Sequence, residues 1–526
     1  MTVLHTRAAA ATPAPPGAPP RASRLLTVAV GAALLAAVVL RFWTTSDLWL
    51  DEALTVNLAR APLAELPQLL RHDGAPPLFY LLLHLWTGAF GDGDVAARSL
   101  SGVCAAASLP MMWRVGFHIA GRRAAWVATL LLAASPFAVR FATEARMYSL
   151  VVLLVLAGFL ALRACWARPT PLRFVGVAVC TGLLALTHYW AFFLLLTVAV
   201  GLGLLARAPE RRRSALLSLS ALGAGGIVFL PWLPAFVFQM QHTGTPWAKP
   251  ANFAAIINAI GEWSGGGTQA GRALLVLLFA GAFLGVFGMP LDHRHIELDL
   301  RGRAPGNRLA FVTFGTMALA IIAGYALRSG FAGRYTSVAI VPFLLLVAVG
   351  AITIVDRRVL TAMVGLAVAF GLLASVPNIT RNRTQAAEIA TSLRRHAAPG
   401  DVVAYCPDQL GPAVSRLAPA GLRQVSFPAL GPPTVIDWAD YADRVRAANP
   451  AAFAAGVDGL APRDASIWLV WMGGYRSLGK QCQFVIRELT KLRGQPTGAV
   501  VSKSAYFERA SLLWFRAPTG GQEPPR

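Results

Sequence analysis

About eleven apolar stretches long enough to cross a bilayer constrain this chain more than any other feature. A helical span needs roughly 17–25 mostly apolar residues. Such stretches fall near 25–42, 95–119, 124–141, 147–166, 172–188, 190–206, 215–234, 272–290, 308–327, 336–354 and 359–376. Only 14% of the residues are charged, against about 25% in a soluble domain. That excludes an ordinary soluble enzyme and a disordered chain. The formal net charge of +22 is of the size seen in nucleic-acid binders. Here, however, the arginines sit between apolar runs, which is the membrane pattern, so no nucleic-acid partner is expected.

The arginines also set an orientation. With the N-terminus in the cytoplasm, alternate connections fall inside: Gly121-Arg122-Arg123, the stretch from Arg163 to Arg173, Arg207 with Arg211-Arg212-Arg213, the Arg294 to Arg308 loop and Asp356-Arg357-Arg358. Each is Arg-rich, as the positive-inside rule requires. Residues 1–24 are Ala/Pro-rich and are expected to form a disordered cytoplasmic tail. The run from Leu25 to Leu40 reads as an uncleaved anchor, because no clear small-residue cleavage site follows it. The shorter run from Pro76 to Phe90 suits an interfacial helix in the first outer loop, 43–94. From residue 378 the charge rises and the apolar runs shorten to strand length, at Val402 to Tyr405, Ile467 to Trp471 and Leu512 to Phe515. The expected architecture is therefore an α-helical polytopic membrane unit over 25–377, followed by an extracytoplasmic α/β domain over 378–526. The protein is expected in the plasma membrane. Two of the five cysteines, Cys406 and Cys482, fall in the α/β domain. A disulfide and two free thiols both remain open, since spacing does not fix Cα separation.

This orientation puts one set of polar residues at the outer surface. Asp51 and Glu52 are adjacent carboxylates just beyond the first span. Asp51 reads either as an N-cap of a helix starting at Ala53 or as a base. Asp73, in His72-Asp73-Gly74-Ala75-Pro76-Pro77, is either turn chemistry or a second acidic group. Glu144, Arg146 and Tyr148 cluster between two spans; Glu144 with Arg146 reads as a structural ion pair, or Arg146 as a phosphate ligand. His188 is either an interfacial histidine or a ligand for phosphate or metal. Trp247 and Lys249 lie in a long outer loop, where a sugar face and a phosphate would suit them. Arg334 and Tyr335 precede a late span. No phosphate-loop signature occurs.

In this order the residues resemble the GT-C class of membrane glycosyltransferases, the broad family of protein O-mannosyltransferases and the lipid A aminoarabinose transferase. The resemblance rests on Leu50-Asp51-Glu52-Ala53 with His72-Asp73-Gly74-Ala75-Pro76-Pro77-Leu78-Phe79-Tyr80, on Pro136 through Glu144-Ala145-Arg146-Met147-Tyr148, and on Gly333-Arg334-Tyr335 with Pro342. It covers roughly residues 25–376. It implies a polyprenyl-phosphate sugar donor dissolved in the lipid bilayer and an acceptor hydroxyl on a cell-envelope glycan, lipid or protein. It implies inversion, with Asp51 as general base and Glu52 and Asp73 as further catalytic carboxylates. Arg146, His188, Lys249, Arg334 and Tyr335 would meet the donor phosphate, with Glu144, Tyr148 and His72 behind them. Mannose is the first sugar implied, and a pentose such as arabinofuranose the next. A lysine beside the prolines in some relatives is absent here, and Gly74 and Ala75 separate Asp73 from the proline pair.

Two other classes compete. A transporter or lipid flippase would place ionisable groups at mid-bilayer and tends to show inverted repeats. A non-enzymatic scaffold would leave the first-loop carboxylates as helix caps. No cofactor is required by the residues. A divalent metal held by Asp51, Asp73 and His188 is open, since ligands so far apart make no signature.

Overall fold

The computed structural model describes residues 21–244, 252, 254–326, 330–473 and 479–517. Most of the expected tail, 1–20, lies outside these. The first helix, Arg21–Leu40, already includes Arg21 and Arg24, so helix starts earlier than expected.

Every expected apolar stretch is helical over most of its length. Seven helices are long and apolar enough to cross a membrane, and four apolar helices are shorter, among the described residues. The chain is a multi-pass membrane protein. One long element, Asp94–Ala133, holds two of the expected stretches. Its backbone breaks at Ala120 and at Gly121, where φ is 80°. In a continuous helix Trp113 and Trp126 would stand about 20 Å apart along the axis. Their ring centroids are 6.2 Å apart, so the chain reverses at Gly121 and the element is a hairpin. Only glycine adopts that backbone without strain, and Arg122 and Arg123 follow directly. Two expected spans, at 172–188 and 190–206, are shorter than anticipated. They are Pro171–Ala185 and Ala191–Leu205, 15 residues each, or about 22 Å of helix.

Helix Ser337–Ala351 runs through the middle of the bundle, buried almost throughout. It packs on Gln269–Phe287, Gly306–Ala326 and the Asp94–Ala133 hairpin. A helix apolar on every side belongs in such a place. It also fixes the position of Arg334 and Tyr335, which lie in the 3-10 turn Gly333–Thr336 at its head. Arg41, 1% exposed, closes the first helix. Its guanidinium donates to the carbonyls of Ala37, Leu132 and Ala133 at 2.7, 2.9 and 2.9 Å. One cation thereby satisfies the free carbonyls of two helix ends.

The first loop folds into three short helices, Leu50–Ala59, Leu66–Asp73 and Leu78–Phe90. The last spans about 20 Å, too short for the roughly 30 Å hydrocarbon core. Gly74 ends the second helix with φ 83°, and a Cβ there would stand 2.8 Å from Thr243 Oγ1. Both the left-handed cap and the close approach require glycine.

Strands Gly288–Pro290 (β1) and Ile296–Leu298 (β2) form a small antiparallel ribbon. After the last long helix, Arg357–Thr380, the chain builds a five-stranded sheet. Its strands are Val402–Cys406 (β3), Arg423–Ser426 (β4), Ile467–Trp471 (β5), Thr497–Val500 (β6) and Ser511–Phe515 (β7), in the order β4-β3-β5-β7-β6. The β4, β3 and β5 strands run parallel, and β7 and β6 add antiparallel. Every residue of β3 is buried, as in a parallel strand covered on both faces. Trp468 and Trp514 stack across β5 and β7, 4.8 Å apart. Cys406, at the end of β3, is disulfide-bonded to Cys482 in helix Gln481–Arg493, with Cα atoms 5.5 Å apart. That bond closes a loop of 76 residues. Losing it through Cys482→Ser is expected to cost about 2–4 kcal/mol. Thermal unfolding in nanodiscs, with and without reductant, checks this; equal midpoints would refute it.

Candidate active site

Helix Leu50–Ala59 starts one turn before the sequence suggested, at Leu50. Asp51 therefore lies within its first turn and is not its cap. The capping role falls to Glu508, 458 residues away, whose Oε2 accepts the Leu50 N–H at 3.1 Å. Successive residues on a helix point about 100° apart, so the adjacent carboxylates separate. Asp51 faces a cavity of about 610 Å³. Glu52 faces the protein interior.

Glu52 is 0% exposed and does not line the cavity among the described residues. Arg98 grips it with two bonds of 2.7 Å, from Nε to Oε1 and from Nη2 to Oε2. The Ala145 N–H donates to Oε1 at 2.9 Å, and Arg383 Nη1 stands 3.4 Å from Oε2. Burial alone would raise this carboxyl, but the two guanidiniums and the amide hold it below its ordinary value. Glu52, expected beside the chemistry, is placed here as a structural anion. Removing its charge strands two buried guanidiniums. Glu52→Gln is expected to cost about 3–5 kcal/mol, read as a fall in the melting midpoint that Asp51→Asn does not produce.

The ion pair with Arg146, one of the two readings the sequence leaves open, is not the one Glu144 forms. Instead Glu144 accepts from Trp49 Nε1 at 2.7 Å and from Arg140 Nη2 at 3.0 Å, with Arg383 at 3.9 Å. The helix that carries Arg140 ends at Ala142, and the turn that follows brings Glu144 back beside that guanidinium. Arg146 turns into the cavity. Its Nη1 donates to Thr55 Oγ1 at 2.7 Å and stands 3.4 Å from the main-chain oxygen of Asp51. Arg334, from the head of the central helix, meets Asp51 directly, Nη1 to Oδ2 at 3.3 Å. The Nε atoms of Arg146 and Arg334 are buried without a hydrogen-bond partner among the described residues.

Asp73 also lines the cavity and accepts from Tyr80 at 2.7 Å. Burial raises its carboxyl, against the opposing pull of Arg146. His188 lines the same cavity, 6% exposed, packed between Tyr148 and Tyr335 at 5.8 and 5.3 Å. Burial, then Arg146 and Arg334, push its imidazole down to about 3. It is therefore neutral, and accepting the Trp190 N–H on Nδ1 leaves its proton on Nε2. His188 is a hydrogen-bond donor here. Tyr148 and Tyr335 line the cavity as well. His72 does not: its Nδ1 pairs with Asp437 at 2.9 Å. Lys249 and Trp247 lie outside the described residues. Although Asp51, Asp73 and His188 share the cavity, no three His, Cys, Asp or Glu groups among the described residues cluster closely enough for one metal ion.

The sequence carries no motif that singles out a site residue in the C-terminal region. Gln409, Trp438, Met472, Phe507 and Glu508 all line the cavity. Glu508 is 5% exposed, and burial, followed by the Asp51 and Glu52 charges, raises its carboxyl to about 8. No local pattern marks it, because its partner is a backbone amide at the other end of the chain. A carboxyl whose value rises on folding stabilises fully below its unfolded value, and that gain is lost as pH rises through its folded value. Between about pH 4.5 and 8, the wild type is expected to lose stability relative to Glu508→Gln. Parallel melting curves across that range test the sign; curves with the same slope would refute it.

Residues 74–238 match the family described as dolichyl-phosphate-mannose-protein mannosyltransferase. Asp51 and Arg334 fall outside that stretch, and Asp73 immediately precedes it. No curated protein sequence matches the chain. Among solved structures, the chain is similar to ArnT from Cupriavidus metallidurans bound to undecaprenyl phosphate. The TM-score is 0.59 at 14% identity, covering 95% of this chain and 100% of that one. It is also similar to the arabinofuranosyltransferase AftD from Mycobacteria. There the TM-score is 0.51 at 16% identity, covering 94% of this chain and 40% of that one. The fold is that of the GT-C class.

Proposed function

We propose that this membrane protein is a glycosyltransferase that moves a sugar from a polyprenyl-phosphate donor to a hydroxyl of a cell-envelope glycan, lipid or protein. The observation that carries this reading is Asp51, a partly exposed carboxylate facing a cavity that Arg146 and Arg334 also line. A carboxylate can take the acceptor proton, while two guanidiniums can take the charge that develops on a leaving phosphate. The acceptor oxygen then attacks the anomeric carbon as the bond from that carbon to the phosphate oxygen breaks. The proton goes to Asp51, polyprenyl phosphate leaves, and the configuration inverts. The shared fold of ArnT, captured with undecaprenyl phosphate, supports a prenyl donor.

The 3.3 Å contact between Arg334 and Asp51 supports one order of events. Without donor, one oxygen of the base is occupied by the Arg334 guanidinium. A donor phosphate offers Arg334 a doubly accepting partner, and so releases Asp51 for the acceptor. His188 adds a neutral N–H to the same wall. Asp73, linked through Tyr80 to the neighbourhood of Arg146, positions the reacting groups. The Arg-rich connections at Arg122, Arg211 and Arg357 belong to the other ends of the helices, which favours an extracytoplasmic site in the plasma membrane. The sugar is mannose or a pentose such as arabinofuranose; the matching family description favours the first and the AftD likeness the second.

The test uses purified protein in nanodiscs, a panel of radiolabelled polyprenyl-phosphate sugars, and membrane extract as acceptor. Asp51→Asn is expected to lower transfer by about 10²–10⁴-fold with an unchanged melting midpoint. Transfer that survives the substitution would remove Asp51 as the base. No transfer from any donor, together with no binding of undecaprenyl phosphate, would favour a scaffold.

A further inference from the structure

The cavity has two unlike walls. Among the described residues its cations, Arg146 and Arg334, both come from the membrane helices and their connections. A second part of the lining comes from Gln409, Trp438, Met472, Phe507 and Glu508, none of them basic. A phosphate belongs against the first wall and gains nothing from the second.

Two details of the second wall point to a ligand. Tyr441 OH donates to Asp408 Oδ1 at 2.6 Å and accepts from Gln409 Nε2 at 2.8 Å. That relay fixes which way the amide faces. It leaves Gln409 Oε1 buried, in a residue 3% exposed, with no hydrogen-bond partner among the described residues. A buried carbonyl oxygen is seldom left unpaired, and one at a cavity wall suits an incoming hydroxyl. Phe507 shows the opposite anomaly. The residue is 71% exposed although its ring packs edge-on against Trp49 at 5.2 Å. Trp438 stands on the same wall. Its main-chain N–H donates to the His72 carbonyl at 3.0 Å, and nearby Asp437 and Asp440 pair with His72 and His242. Aromatic faces beside oriented hydrogen-bonding groups make a surface for a ring that is apolar on its faces and hydroxylated at its edge.

We infer that the wall built by the C-terminal region is the acceptor subsite and that it binds a carbohydrate. One sugar hydroxyl donates to Gln409 Oε1, and the ring face lies against Phe507 and Trp438. The inference rests on the reading of Asp51 as the base, since it places the acceptor hydroxyl between that carboxylate and Glu508. The C-terminal region is on this account part of the substrate site, and a hydroxyl presented by a serine or threonine peptide is disfavoured.

The experiment titrates protein in nanodiscs with α-1,6-mannobiose, α-1,5-arabinobiose and a threonine-containing hexapeptide, following tryptophan fluorescence and saturation-transfer NMR. Undecaprenyl phosphate is titrated in parallel. At least one disaccharide is expected to bind the wild type. Phe507→Ala and Gln409→Leu are each expected to weaken it at least fivefold while changing undecaprenyl phosphate binding less than twofold. Phe507→Ala removes an exposed ring, so the result does not depend on Gln409→Leu folding. Binding of the peptide alone, binding of neither disaccharide, or disaccharide affinities unchanged in Phe507→Ala would overturn the inference. Loss of undecaprenyl phosphate binding in the wild type would instead count against the donor reading.

Discussion

The architecture around the cavity depends on one buried carboxylate. Glu52 ties Arg98 of the hairpin, the Ala145 amide and Arg383 of the chain entering the C-terminal region to the first-loop helix. Arg383 extends the tie, donating to the Thr143 carbonyl at 2.8 Å and taking Ser46 Oγ on its own N–H at 2.8 Å. Such a group is expensive to desolvate and is tolerable only when fully paired. Geometry that satisfies all its partners at once leaves little freedom. Helix Leu50–Ala59 is thereby fixed in rotation, and Asp51 can only face the cavity.

The two neighbouring carboxylates illustrate how position on a helix separates roles that composition cannot. Glu52 meets two guanidiniums in the interior and stays charged as structure. Asp51 meets one guanidinium at the edge of a cavity, with 18% of its side chain exposed. The first arrangement is closed. The second can exchange its partner for a ligand.

The C-terminal region is bound to the rest through polar contacts that converge on the site. Glu508 caps the Asp51 helix, Trp438 holds the His72 carbonyl, and Asn57 donates to Thr434 O at 2.8 Å. Cavity and interface are the same place. A substrate entering there is enclosed by two parts of the chain; among the described lining residues one part carries the guanidiniums and the other the aromatic rings of Trp438 and Phe507.

The sequence alone determined the membrane helices and the change of character after residue 378, and it singled out Asp51, Asp73, Arg146, His188, Arg334 and Tyr335, which the structure brings to one cavity. Apolar length and arginine placement are local quantities, so a single sequence carries them. Strands β3, β5 and β7 were legible for the same reason, while the more exposed edge strands β4 and β6 lacked a continuous apolar run. Only the tertiary structure decided that Glu52 is buried structure, that Glu144 prefers Arg140, that His188 is neutral, and that Glu508 and Gln409 belong to the cavity. Each of those outcomes depends on desolvation and on partners brought together by the fold, up to 458 residues apart in the case of Leu50 and Glu508. No local pattern encodes the identity of a distant partner, and for a buried charge the partner sets the role.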